Sequence, residues 1–193
     1  MMISKYAELG PITIPNYIGH QSMIPFDLAT LAGLPTQFVT LVKQMTQHLS
    51  LSGKAYFTIH GKQLTAGQTH RRPGAHTDGN YEPCGWSNGG WKVGENGPSI
   101  GTKEHHDSYI VETGGIILAS NFQACLGWEG TYDGLPGVGG DCSKIELDEG
   151  KLLKANTVYY GNNHFIHESL PMSGDCTRVL ARITLPQDHQ YQF

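Results

Sequence analysis

His76, Asp78 and His167 are the residues whose types and spacing could do metal chemistry in this chain, and Arg178 and Arg182 follow them. Two imidazoles and one carboxylate can occupy one face of an Fe(II) ion and leave its other positions open for substrate. In AHTDG, His76 and Asp78 are two positions apart, so on an extended strand both side chains point to the same side. Arg178 comes eleven residues after His167. Its guanidinium presents a rigid fork of donors to a carboxylate, the group an organic co-substrate on that ion would carry.

Rival assignments exist for each half of the trio. His105 and Asp107 in EHHDSY repeat the His-x-Asp spacing, and His164 competes with His167. Either triplet could equally be solvated polar residues. In GNNHFIHESLPMSGDCTRVLARITLP a turn around Ser173 to Asp175 predicts a hairpin that sets His167 beside Arg178. On the returning strand Arg178, Leu180, Arg182 and Thr184 share one face, and Val179, Ala181, Ile183 and Leu185 make the other face apolar. Arginines turned inwards would need anionic partners; on a solvated face they would simply point to water.

The elements that must position these groups change character along the chain. Residues 36–51 place Phe38, Leu41, Val42, Met45 and Leu49 at helical intervals behind Pro35, which predicts a helix. A shorter helical turn is expected around residues 26–32, stopped by Gly33 and Pro35. Beyond residue 53, β-prone runs at 55–60, 109–120, 144–147, 157–160 and 178–185 read as strands. The fold class expected is therefore mainly β with supporting helices, in a single domain spanning 1–193. Residues 1–52 would form an N-terminal helical support region and 53–193 the β core. An insertion at about 79–108, with seven glycines between 79 and 102 plus Trp86 and Trp91, reads either as a surface loop or as a functional lid.

Composition narrows the partners. A formal charge of −4, with 17 acidic and 13 basic residues and no basic block, gives duplex nucleic acid little electrostatic support, although His70-Arg71-Arg72 is a local basic spot. Cys84, Cys125, Cys142 and Cys176 are widely spaced without CxxC pairs, as expected of reduced thiols. No apolar run is long enough for a membrane span or a leader, so a soluble cytoplasmic protein is the expectation. Oligomeric state has no signature here.

With these residues in place, the chain resembles the Fe(II)- and 2-oxoglutarate-dependent dioxygenases over residues 68–185. Their motif is His-x-Asp/Glu, a distal His, then an Arg or Lys about ten residues later. The resemblance implies a double-stranded β-helix, the cupin-like jelly-roll, with His76, Asp78 and His167 as iron ligands. It implies that Arg178 holds the far carboxylate of 2-oxoglutarate, with Arg182 near the inner carboxylate or an anionic substrate. The implied reaction consumes 2-oxoglutarate and O2, releases succinate and CO2, and hydroxylates a C–H bond of a small molecule or a side chain. A carboxylate at Asp78 favours hydroxylation over halogenation. Tyr109, Asn121 and Tyr159 are candidate hydrogen-bond donors to the co-substrate, and Gln68, His70 and Arg72 could face the pocket from the run before the first ligand. Trp128, Cys125 and Met172 read as packing residues. One departure stands out: members often carry Arg-x-Ser at the anchor, where this chain has Arg178-Val179-Leu180, leaving Thr177 or a Tyr to supply a hydroxyl. The long interval between Asp78 and His167 fits the glycine-rich insertion. The competing readings are a jelly-roll binding or structural protein and a cupin-like metal enzyme that does not use 2-oxoglutarate.

Overall fold

The computed structural model describes residues 1–78, 114–137, 140–186 and 189–191, plus the backbone of two short strands within the glycine-rich stretch. Its strands are β1 (Met2–Ser4), β2 (Tyr6–Pro11), β3 (Gly19–Asp27), β4 (Lys54–Leu64), β5 (His76–Thr77), β6 (Val93–Gly94), β7 (Gly97–Pro98), β8 (Ile116–Ser120), β9 (Cys125–Trp128), β10 (Gly130–Tyr132), β11 (Lys151–Leu152), β12 (Thr157–Gly161), β13 (Ile166–Ser169) and β14 (Cys176–Thr184). Among the described residues there is one α-helix, α1 (Thr36–Thr46). The protein is mainly β.

Two antiparallel sheets matter for the site. The larger has the order β2-β12-β8-β14-β4-β3, and the smaller β11-β9-β13-β5. Strict alternation along β14 sorts its side chains. Val179, Ala181, Ile183 and Leu185 join Phe57, Ile59, Ile117, Ala119 and Val158 in a cluster that receives Phe38, Leu41, Val42 and Met45 of α1. Burying an aliphatic or aromatic side chain of this size stabilises the fold by about 1.5–3 kcal/mol, so this seam is what anchors the helix to the sheet. The opposite face of the large sheet meets the small sheet through Leu118, Leu180, Tyr159, Cys125, Leu153 and Phe165. Behind the small sheet, Ile166, Trp128, Tyr132, Cys142 and Ile145 close a third cluster. Helix, large sheet and small sheet thus stack in layers compatible with a β-sandwich, and the middle gap holds the polar groups.

Several expectations from the sequence are corrected. Residues 1–52 hold α1 but also β1, β2 and β3, two of which extend the large sheet, so this region is not purely a helical support. Residues 26–32 end β3 and turn: Asp27 accepts bonds from the Thr30 amide and hydroxyl through Oδ1 at 2.8 and 2.7 Å. Leu31 there sits at φ +61°, outside any right-handed helix. The helix stops at Thr46, and Leu49 falls in the following turn, its amide bonded to the Thr46 carbonyl. Residues 144–147 form no strand; Ile145 packs into the third cluster from a turn closed on the Cys142 carbonyl. The strand expected at 109–120 is seen as Ile116–Ser120, its first part lying outside the described residues. His167 and Arg178 are not hairpin partners: β13 pairs with β5 and β9, while β14 pairs with β4 and β8 in the other sheet. They belong to the two different sheets instead.

Candidate metal centre

β5 is only two residues long, yet it is held on both edges. On one side His76 is directly opposite His167 of β13, and on the other His76 bridges Asp141 while the Cys142 amide bonds the Ala75 carbonyl. Directly opposed residues project to the same face, so the two imidazoles meet with ring centroids 4.7 Å apart. Asp78, two positions on, returns to that face. The Nε2 of His167 lies 3.4 Å from Asp78 Oδ2, and ligand atoms of all three residues lie within 4.8 Å of one another. This is the one such cluster of His, Cys, Asp or Glu among the described residues.

The protonation states suit a cation. A carbonyl can only accept, so His76 donates from Nδ1 to the Gly74 carbonyl at 2.8 Å and His167 from Nδ1 to the Phe165 carbonyl at 3.1 Å. Each ring is thereby fixed through Nδ1, which makes Nε2 the atom that a metal would take. Burial, reinforced by the neighbouring His167, pushes His76 down from 6.5 to about 4, which keeps it neutral. Burial alone would raise the Asp78 carboxyl, but Arg182, then the His167 hydrogen bond, hold it well below the usual carboxylate range. Arg182 donates from Nη1 to Asp78 Oδ2, with both side chains largely enclosed. An octahedral ion with ligand bonds of about 2.1 Å brings neighbouring donors to about 3 Å, so the three donor atoms fit a divalent cation after a small contraction. Two imidazoles with oriented rings and one carboxylate are the donor set of the facial triad.

A small cavity opens onto the trio. Beyond the three ligand candidates its wall is Arg71, Leu118, Cys125, Ser169 and Leu180. Arg178 lies beneath this wall with no exposed surface. It donates from Nε to Ser120 Oγ at 3.3 Å, from Nη1 to Ser169 Oγ at 2.9 Å and from Nη2 to Cys125 Sγ at 2.9 Å. Ser169 and Cys125 are directly opposite each other on the small sheet, so Arg178 reaches across the gap to both. None of its partners is an anion: burial raises the Cys125 thiol, with Arg178 opposing. Guanidinium stays protonated in proteins, so among the described residues its charge is unneutralised.

The other sequence candidates separate cleanly. Asn121 spans the β14 backbone, accepting from the Val179 amide at 2.7 Å and donating to the Thr177 carbonyl at 3.1 Å; it pins the strand that carries Arg178 and does not line the cavity. Tyr159 is buried in the inter-sheet cluster, where its hydroxyl accepts from the Lys154 amide at 2.8 Å, and it lines a small adjacent cavity. Leu118 and Cys125 form the common wall of the two cavities. Tyr109, His105 and Asp107 lie outside the described residues, as does most of the glycine-rich insertion with Trp86, Trp91 and Cys84. His164 is buried in the turn before β13 and is not part of the cluster. Gln68 closes its own turn by accepting from the Thr65 amide. Arg72 is exposed, whereas its neighbour Arg71 lines the cavity. Arg71, Ser120 and Ser169 were not anticipated, and Cys125 touches Arg178 and the cavity besides packing. The hydroxyls missing from Arg178-Val179-Leu180 arrive from β8 and β13. No family model matches the chain, and neither a curated protein nor a solved structure matches it.

Proposed function

We propose that the chain is an Fe(II)- and 2-oxoglutarate-dependent oxygenase that hydroxylates a C–H bond of a small molecule or side chain. The observation that carries the reading is one arrangement: a His76-Asp78-His167 donor set on the small sheet, faced by a fully buried Arg178 whose described partners are all neutral. A buried cation without an anion is costly, and a dicarboxylate co-substrate bound in the gap supplies one. Strand order supports the double-stranded β-helix. From β4 onward, leaving aside β6, β7 and β10, the chain visits the large and small sheets to give β4-β14-β8-β12 against β5-β13-β9-β11.

Bound Fe(II) with 2-oxoglutarate and O2 would supply the oxidising chemistry, releasing succinate and CO2 as a C–H bond becomes C–OH. His76 and His167 offer Nε2, and Asp78 offers a carboxylate that Arg182 keeps ionised. Arg178 holds the carboxylate far from the metal. Leu118 and Leu180 keep water from the space between. A second reading, a metal-binding sandwich without co-substrate, is favoured by the three hydrogen bonds that already occupy Arg178. Succinate release separates the two. With Fe(II), ascorbate, O2 and 2-oxoglutarate the wild type should form succinate and Arg178→Ala should not; wild-type release no higher than that of Asp78→Ala sinks the oxygenase reading.

A further inference from the structure

His70 is the most anomalous side chain in the interior. It is 2% exposed, and among the described residues neither Nδ1 nor Nε2 has a hydrogen-bond partner. Buried polar groups in native folds are almost always satisfied, so a fully unpartnered imidazole marks a place that something else completes. The chain brings it there deliberately. The Gly67 amide bonds the Met172 carbonyl at 2.8 Å and the Met172 amide bonds the Gln68 carbonyl at 2.9 Å, which lays the segment before His70 against the chain leaving β13, just beyond Ser169. One side of the ring is covered by His60, with centroids 4.6 Å apart. His60 itself projects from β4 opposite Leu180, on the face that carries Arg178.

Arg178 shows a matching deficit from an independent direction. Its guanidinium has five N–H donors, of which Ser120, Ser169 and Cys125 take one each, leaving one N–H on each terminal nitrogen. The two groups are near enough to feel each other: after burial, the Arg178 charge is the largest influence keeping His70 neutral, with its value lowered to about 3. A neutral imidazole adds a donor without adding a second buried charge. A carboxylate, with room for about four acceptor contacts, is the ligand that both deficits fit.

We infer that His70 is a binding residue for the co-substrate, its ring N–H joining the two open N–H groups of Arg178 on the carboxylate remote from the metal. This rests on the oxygenase reading and adds a specificity element to it: selection of a 2-oxo dicarboxylate over a 2-oxo monocarboxylate.

The test is an anaerobic titration of the Fe(II)-loaded full chain, following the metal-to-ligand absorption band, with 2-oxoglutarate and with 2-oxobutanoate. The second ligand has the same chelating end and no remote carboxylate. His70→Phe, which keeps a ring and removes the donors, should weaken 2-oxoglutarate binding about 10- to 100-fold, as expected for one hydrogen bond to a charged group, and leave 2-oxobutanoate unchanged. His70→Gln, which restores an N–H, should recover most of the loss. Unchanged 2-oxoglutarate binding in His70→Phe overturns the inference, and so does an equal loss for both ligands, which is the mark of a merely structural role. If the wild type binds neither oxo acid, the oxygenase reading itself falls, and the assignment of His70 with it.

Discussion

Replacing Arg178 with Met removes the charge while keeping an unbranched, though shorter, apolar side chain. In the metal-free protein three hydrogen bonds are lost, to Ser120, Ser169 and Cys125, each worth about 1.5 kcal/mol, the low end for a charged donor. Against that, a guanidinium with no exposed surface and no anionic partner among the described residues carries a desolvation penalty of several kcal/mol that the variant no longer bears. The two effects nearly cancel, so stability to urea should change by less than about 2 kcal/mol in either direction. Co-substrate binding should not survive the change. Two charge-assisted bonds to a carboxylate are worth about 1.5–3 kcal/mol each, so affinity for 2-oxoglutarate should fall by about a hundredfold to ten-thousandfold. Anaerobic titration of the Fe(II) form and urea unfolding of the metal-free form measure the two halves. Severe destabilisation with unchanged 2-oxoglutarate affinity would refute the reasoning, because it would mean that Arg178 serves the fold and not a ligand.

Acid should weaken the metal-free protein. Burial lowers His76 to about 4 and His60 to about 4, so between 6.5 and those values the unfolded chain binds more protons than the folded one. Stability is full above pH 6.5 and declines as pH falls towards 4, with His76 alone contributing about 3 kcal/mol; Asp78, held low in the fold, extends the loss to still lower pH. Urea midpoints across that range check this, and a flat profile contradicts it. Asn121→Ala should cost about 1–3 kcal/mol of stability by freeing the Val179 amide and the Thr177 carbonyl, while 2-oxoglutarate still binds. Loss of binding without loss of stability would return Asn121 to the donor role its sequence position suggested. Gly61→Ala should destabilise by about 1–3 kcal/mol, since a Cβ there comes within 2.7 Å of the Tyr17 carbonyl carbon; an unchanged urea midpoint would show that the loop before β3 yields.

The parts of the site legible in the sequence are those fixed by local periodicity. His76 and Asp78 share a side because side chains on a strand repeat every second residue, and the same parity sorted β14 into an apolar face against α1 and an arginine face against the gap. What the sequence hid is set by packing between sheets. Ser120, Cys125 and Ser169 meet Arg178 from three different strands, and no spacing along the chain encodes that convergence. The hairpin expected between His167 and Arg178 failed for the same reason: the turn at 173–175 carries the chain from one sheet to the other. β1, β2 and β3 went unread because they are short or partly exposed, and β3 is further broken by an irregularity between Gln21 and Ile24, with Met23 at φ +54°. On the run before His76, alternation suggested Gln68, His70 and Arg72, but the segment is a turn and not a strand, so Gln68 closes its own turn, Arg72 is exposed, and Arg71 lines the cavity.

The central claim is that His76, Asp78 and His167 hold the iron on which 2-oxoglutarate binds, and parallel anaerobic Fe(II) and 2-oxoglutarate titrations of wild type, His76→Ala and His105→Ala test it most directly. Wild type and His105→Ala should take up stoichiometric iron and develop the metal-to-2-oxoglutarate absorption band, and His76→Ala should lose both. Iron and band retained in His76→Ala, or lost equally in both variants, would contradict the assignment.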